Sequence, residues 1–470
     1  MRHLILVLSF VPAISSCMSQ GGGDPFGSSP SGPAVIKSGP TGDVPPLVVA
    51  DDRNAAPDVV EVNLRAAPAT KEYLPGRQTA VWAYNGSTPG PVIEARRGDQ
   101  IIVHFQNDLP EPTTIHWHGL RVPNDMDGAG IQTHPIGPGA SFDYRFVALD
   151  SGLYWYHPHV RSSSQVAMGL YGAIIVRDPA EPDLGAATER TLVLSDVLID
   201  PATGAIDDQP DERGMMMGQE GNLVLVNGGP SGGTLQVTRG ARTRLRLLNA
   251  ATARFFDLRL EGGAMTQVGS DGGLLSAPRP LDRVLLVPGQ RVDVVMEMAG
   301  PGSLTAVPYE RAHGMGGGEA IDLVRFVISD APPAVPPTLP ATLRSLDVLE
   351  APATVQVVTL NERMAHHQWL FTIDNQVYPN VPPVQASVGT RQLWAVQNRG
   401  TMDHPFHLHG FSFQPLGDPE WRDTINVPAG TTTNLVVDFA DRPGASGDWM
   451  YHCHILAHAE NGMMAEVQLR

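Results

Sequence analysis

The sequence predicts an all-β protein made of three similar β domains. Three observations predict it. Glycine (49) and proline (42) are abundant in the 470 residues and spread along the chain, which suits many short strands joined by turns. The length exceeds what one hydrophobic core serves. Above all, one pattern recurs three times: "VIEARRGDQIIVHFQND", "LQVTRGARTRLRLLNAA" and "VQASVGTRQLWAVQNRG". In each, an aliphatic residue (Ile93, Leu235, Val384) stands five before a glycine (Gly98, Gly240, Gly389), and an asparagine (Asn107, Asn249, Asn398) stands nine after it. Apolar and polar residues alternate between them, as in half-buried strands.

The elements follow in order. Met1-Arg2-His3 and the apolar run Leu4 to Ile14 form an export signal, too short to span a bilayer. Ile14-Ser15-Ser16-Cys17 matches a lipoprotein cleavage box, so residues 1–17 are expected to be removed up to a lipidated Cys17; an ordinary cleaved signal is the alternative. Either way the expected location is the periplasm or cell envelope. Residues 18–54, rich in Gly, Ser and Pro, read as a flexible tether. The three β domains are then 55–180, 185–332 and 345–470, with proline-rich 331–343 as the second linker. A formal charge of -17 without a basic cluster excludes nucleic acid as an expected partner. Cys453 is the only cysteine left to the folded body, so no internal disulfide is available and its thiol needs another explanation.

Counting from the repeat asparagines makes the chemistry legible. Nine and eleven residues after Asn107 stand His116 and His118; the same offsets after Asn398 give His407 and His409, and after Asn249 Leu258 and Leu260. The middle domain keeps the strand without the imidazoles. Likewise His157 and His159 follow Gly152 by five and seven, as His452 and His454 follow Gly447. Residues i and i+2 of a strand share a face about 6.6 Å apart, so each His-x-His can serve neighbouring metal ions. Eight imidazoles exceed the needs of one four-coordinate ion and fit a small cluster between the first and third domains. On a regular strand Cys453 points away from His452 and His454, toward a separate metal. With His404, His458 and Met463 it forms the trigonal His₂Cys set with weak axial Met of a blue-copper site. His3, His104, His134, His313, His366 and His367 match no motif.

These motifs, "HWHG", "HPH", "HPFHLHG" and "HCHILAHAENGM", resemble those of the multicopper oxidases, three-domain cupredoxin proteins of the laccase and cuprous oxidase type, over essentially the whole mature chain. The resemblance implies three cupredoxin-like Greek-key sandwiches and four copper ions. It implies a type 1 copper at His404, Cys453, His458 and Met463, and a type 2 copper at His116 and His407. The type 3 pair would take His118, His157 and His454 on one ion, and His159, His409 and His452 on the other. The implied chemistry is one-electron oxidation of a reductant, transfer through Cys453, and four-electron reduction of dioxygen to water, in a chain expected to act as a monomer.

Asp127 matches the family's acidic position near the cluster and is expected to supply protons. The family's second acid follows the last type 1 histidine, where this chain has Ala459; Glu460, one further on, is the expected substitute. Met402 matches the place where cuprous oxidases set a methionine beside the type 1 copper, Asp403 adjoins it, and soft thioethers select Cu(I). Met215 to Met217, His313, Met315, Met364, His366 and His367 are further candidates; each methionine also reads as gap-filling core. A metallo-oxidase is therefore expected, with a laccase of phenolic substrates as the alternative. A copper-binding or structural cupredoxin protein without catalysis is the reading from another class, and the complete ligand set argues against it.

Overall fold

The computed structural model describes residues 33–36, 42–130, 134–311, 318–365 and 368–470. The export signal with Cys17 lies outside the described residues, as do His3, His313, Met315, His366 and His367. No helix among those described is long and apolar enough to cross a membrane.

Each copy of the repeat becomes a strand: Gln100–Asn107, Arg242–Asn249 and Thr390–Asn398. Each lies parallel beside the first strand of its own unit, Val59–Leu74, Thr188–Val197 and Val355–Ala365 respectively. A parallel pair cannot be joined by a hairpin, so the chain crosses to a second sheet and returns. In that second sheet another parallel pair recurs three times: Gly90–Arg96 with Gly172–Arg177, Gly233–Val237 with Ile321–Ile328, and Val384–Ala386 with Met464–Leu469. The result is three two-sheet β-sandwiches of cupredoxin type. The inner faces of each pair of sheets close a core: Val62, Trp117 and Tyr156 in the first, Leu247, Phe256 and Leu304 in the second, Trp394, Phe406 and Tyr451 in the third. Ala253, Phe255 and Val287 of the second unit join the core of the third, so these two share one apolar interior.

The repeat asparagines do one job three times. Asn107 Nδ2 donates to the carbonyls of Glu111 and Ile136, and its Oδ1 accepts from Leu109 N. Asn249 brackets Arg254 O, Leu286 O and Ala251 N in the same way, and Asn398 brackets Met402 O, Val427 O and Gly400 N. Each side chain is buried and locks the loop that leads into the next strand, which carries histidines in the outer units and leucines in the middle one.

The expected tether is shorter than 18–54. Val44 N donates to Thr234 O and Val44 is buried in the middle core, while Ala50 N and Val92 N exchange hydrogen bonds with Val92 O and Val48 O. Residues 42–50 thus clip the first unit to the second, because backbone pairing and a buried valine offset the ordering entropy. The proline-rich linker is docked too: Arg242 Nη1 donates to Pro337 O, and Leu343 packs with Leu184 and Leu275.

Because the Asn249 side chain bonds only backbone groups of its own unit, Asn249→Ala is expected to lower stability by about 3 kcal/mol through buried groups left unpaired. Chemical denaturation of wild type and variant measures it, and copper content should not change.

Candidate metal centres

Register brings the histidine pairs together. In the first unit the strand His116–His118 runs antiparallel to Gly152–His157, with His116 opposite His157. In the third, His404–Leu408 runs antiparallel to Gly447–Cys453, with His407 opposite His452. The two units face each other so that His116 stacks on His409 at 3.7 Å and His118 on His407 at 3.8 Å between ring centroids. His454 reaches across to His118 (5.0 Å) and His157 (5.6 Å), and His159 to His452 (5.1 Å). All eight imidazoles of the four pairs line one enclosure between the units.

The hydrogen bonds of these rings decide which atoms face inward. Nδ1 of His116 donates to Asp127 O, that of His157 to Pro158 O, that of His407 to Asp423 O, that of His409 to Asp127 Oδ2 and that of His452 to Cys453 O. Each neutral ring then holds its lone pair on Nε2. Nε2 of His116, His157 and His407 is buried without any partner, as are Nδ1 of His118 and both nitrogens of His454. Nε2 of His409 and His452 approach to 3.0 Å, and that of His159 lies 3.4 Å from His452 Nε2. Two lone pairs cannot bond each other, and an unpartnered buried nitrogen costs free energy. A cation among these nitrogens removes both penalties, and burial with neutral imidazoles is what copper prefers.

Cys453 turns the opposite way, into the core of the third unit with Met463, and both are fully buried. Its Sγ lies 3.5 Å from His404 Nδ1 and 3.8 Å from His458 Nδ1. The far nitrogens of those rings are anchored, His404 Nε2 on Glu362 Oε2 and His458 Nε2 on Met216 O, each at 2.9 Å. Both Nδ1 atoms are thereby turned toward the sulfur, with Phe371 stacked on His458 at 4.1 Å. His404 lies between the Cys453 sulfur and a carboxylate; burial opposes its charge, but Cys453 and Glu362 outweigh burial and push it up to about 9. The pocket favours a positive charge, which a metal ion supplies.

The chain is similar to known proteins in this light. Family profiles described as multicopper oxidase match residues 66–181, 188–306 and 349–470. The multicopper oxidase MmcO of Mycobacterium tuberculosis is 32% identical over 449 residues, covering 86% of each chain. A solved structure titled as a multicopper oxidase from Campylobacter jejuni, a metallo-oxidase, superposes with a TM-score of 0.82 at 29% identity, over 92% of this chain and 96% of that one. A laccase-like oxidase from Ochrobactrum, described as active on lignin model compounds, gives 0.75 at 27% identity, over 91% and 99%. The chain belongs to the multicopper oxidases. It is a copper-dependent oxidoreductase that couples oxidation of a reductant to reduction of dioxygen.

Other expected site residues fall differently. Asp127 Oδ1 is buried, unpartnered and 3.4 Å from His116 Nδ1, so the carboxylate touches rings of two different pairs. Gly128 makes this approach possible: it has φ of +73°, and a Cβ there would meet Ile115 O. Glu460 does not replace the missing acid. It is exposed, and its carboxylate accepts from Ser162 Oγ, Ser163 N and Ser163 Oγ at the start of α1 (Ser162–Ala167). Ala459 is buried, as are Leu456, Ala457 and His458 of the same turn. Asp403 is buried, and its oxygens are occupied by Tyr309 Oη, Asn426 Nδ2 and Ala429 N, so it is not open to a docking ion. Met402 packs with Met216, Met217 and Trp369. His104 is held by Glu61 and Asp143 at the surface, away from the site. Glu362, Met216 O and Asp423 escaped sequence reasoning, since no spacing relates them to the histidines they hold.

Burial, then repulsion by neighbouring rings, holds His118, His159, His409 and His454 well below their ordinary value of 6.5; burial dominates for His157, His452 and His458 too, and lowers His407 against the pull of Asp423. In the metal-free chain these groups are neutral when folded but protonated when unfolded below about pH 6.5, so the unfolded state binds more protons and stability falls as pH drops. His404 has the opposite sign and cannot offset eight such groups. Thermal midpoints of the metal-free protein are expected to fall steadily from pH 7 to pH 5.

Proposed function

We propose that the chain holds four copper ions and takes a soft metal ion, Cu(I) foremost, as its reductant. His404, Cys453, His458 and Met463 would hold the type 1 ion, His116 and His407 the type 2 ion. His118, His157 and His454, and His159, His409 and His452, would hold the type 3 pair. The observation that carries this reading is the convergence of buried ring nitrogens without hydrogen-bond partners. Copper bound there supplies one-electron redox chemistry and the reduction of dioxygen to water. Around it the chain's own groups have distinct tasks. The backbone of His452, Cys453 and His454 is a covalent path between the two pockets. Asp127, with one oxygen on His409 and the other beside His116, orients the His409 ring and can hold a proton beside the cluster.

The metal-ion reading rests on what covers the thiolate pocket. Helix α2 (Glu212–Met217), capped by Asp211 on Gly214 N, lays Met216 and Met217 against Met402 and Trp369, and its Met216 carbonyl takes the His458 edge. Glu362 takes the His404 edge. Neither imidazole presents a free edge to a bulky aromatic substrate, whereas thioethers suit Cu(I). The likeness to the Campylobacter metallo-oxidase points the same way. Oxidation of phenols is the second reading, favoured by the Ochrobactrum relative. Export to the periplasm or cell envelope, attachment through a lipidated Cys17, and action as a monomer complete the proposal.

Two measurements test it. Catalytic efficiency for Cu(I) is expected to exceed that for a substituted phenol by tenfold or more, and a preference for the phenol would reverse the assignment. Asp127→Asn is expected to slow dioxygen turnover about 100-fold with the blue absorption intact; unchanged oxygen uptake removes Asp127 from the mechanism.

A further inference from the structure

The middle unit supplies no ligand, yet it places a guanidinium directly behind the histidine cage. Arg291 opens the strand Arg291–Met298 and is fully buried. All five of its side-chain donors are used. Nη1 donates to Asp423 Oδ1 (2.7 Å) and Gly289 O (3.2 Å), Nη2 to Asp423 Oδ2 (2.5 Å) and Asp271 O (3.2 Å), and Nε to Leu153 O (2.9 Å). Asp271 in turn accepts from Arg291 N at 2.7 Å. One side chain of the second unit therefore bonds an acid of the third and a carbonyl of the first.

What the clamp holds is a cage histidine. Asp423 Oδ1 accepts from His118 Nε2 at 3.1 Å and from Thr424 Oγ1 at 2.9 Å, while Asp423 O accepts from His407 Nδ1. His118 is thereby the one ring among its neighbours that spends Nε2 outward and turns Nδ1 into the enclosure, where that atom is buried and unpartnered. Two glycines leave room for this approach. A Cβ on Gly119 would stand 2.3 Å from Arg291 Nη2, and one on Gly289, at φ +84°, would stand 2.8 Å from His454 Cδ2 and 3.0 Å from His118 Cε1.

We infer that Arg291 is a positioning residue of the oxygen-reducing cluster: through Asp423 it fixes the tautomer and rotation of His118, so that the ligand-free domain sets the geometry of one metal position. A bidentate guanidinium suits this task because its planar fork fixes both carboxylate oxygens at once, which a lysine cannot do. The type 1 pocket shares no hydrogen bond with the clamp. The inference rests on the copper assignment above, and the test separates the two.

Purified wild type, Arg291→Lys and Asp423→Asn are reconstituted with copper and compared by copper content, blue absorption and separate KM values for dioxygen and reductant. Asp423→Asn keeps the side-chain size, so it decides if Arg291→Lys does not fold. The expected result is full blue absorption and unchanged reductant KM, with copper content below the wild-type value and dioxygen turnover at least tenfold lower. A variant with the wild-type copper content and unchanged dioxygen kinetics overturns the inference. So does loss of blue absorption in step with the cluster copper, which marks the arginine as general structural support. Wild type holding fewer than four ions would instead sink the copper assignment itself.

Discussion

Everything in this molecule depends on imidazole nitrogens that face one another across the contact of the first and third domains with nothing to bond. A folded interior ordinarily pairs its polar atoms, and leaving several unpaired in one place costs what several hydrogen bonds contribute. Contacts across the same boundary hold the rings in this arrangement. Arg442 bonds Val122 O and Gly410 O, Asn124 Nδ2 donates to Asp448 O, and Asp127 holds His409 across the same boundary. The cage is therefore preorganised for a cation, and the outward nitrogens of His116, His118, His157, His407, His409 and His452 are tied to carbonyls and carboxylates that fix those rings.

The two kinds of pocket differ by one strand's alternation. His452 and His454 leave the third sandwich toward its neighbour, while Cys453 turns into the apolar core beside Met463. A soft, dry pocket and a nitrogen-rich enclosure thus lie on opposite faces of the same short segment. Hydrophobic packing protects the sulfur, and domain docking builds the cage. The middle unit touches both, through the Met216 carbonyl on one side and Gly289 and Arg291 on the other.

Strand periodicity explains what could be read from the sequence. A spacing of two on a strand fixes which side chains share a face, so the four His-x-His pairs and the reversed cysteine were legible without coordinates. Their supports were not. Glu362 and Arg291 come from distant strands and Asp423 from the bend before Thr424–Val427, and only tertiary docking brings them to His404 and, through Asp423, to His118. Glu460 departs from its expected place for a local reason: in helix α3 (Leu456–Glu460) one residue further means about 100° of rotation, so the acid next to buried Ala459 points outward to Ser163. The tether is shorter than its composition suggests because Val44 finds a place in the middle core.

The recurring asparagine bracket has a consequence for how such a chain can change over generations. Its amide secures the same loop whether imidazoles or leucines come next, so the scaffold is insulated from its own chemistry. A duplicated module of this kind can shed or acquire ligands while keeping its shape, leaving selection free to turn one copy into a brace and its siblings into an oxidase.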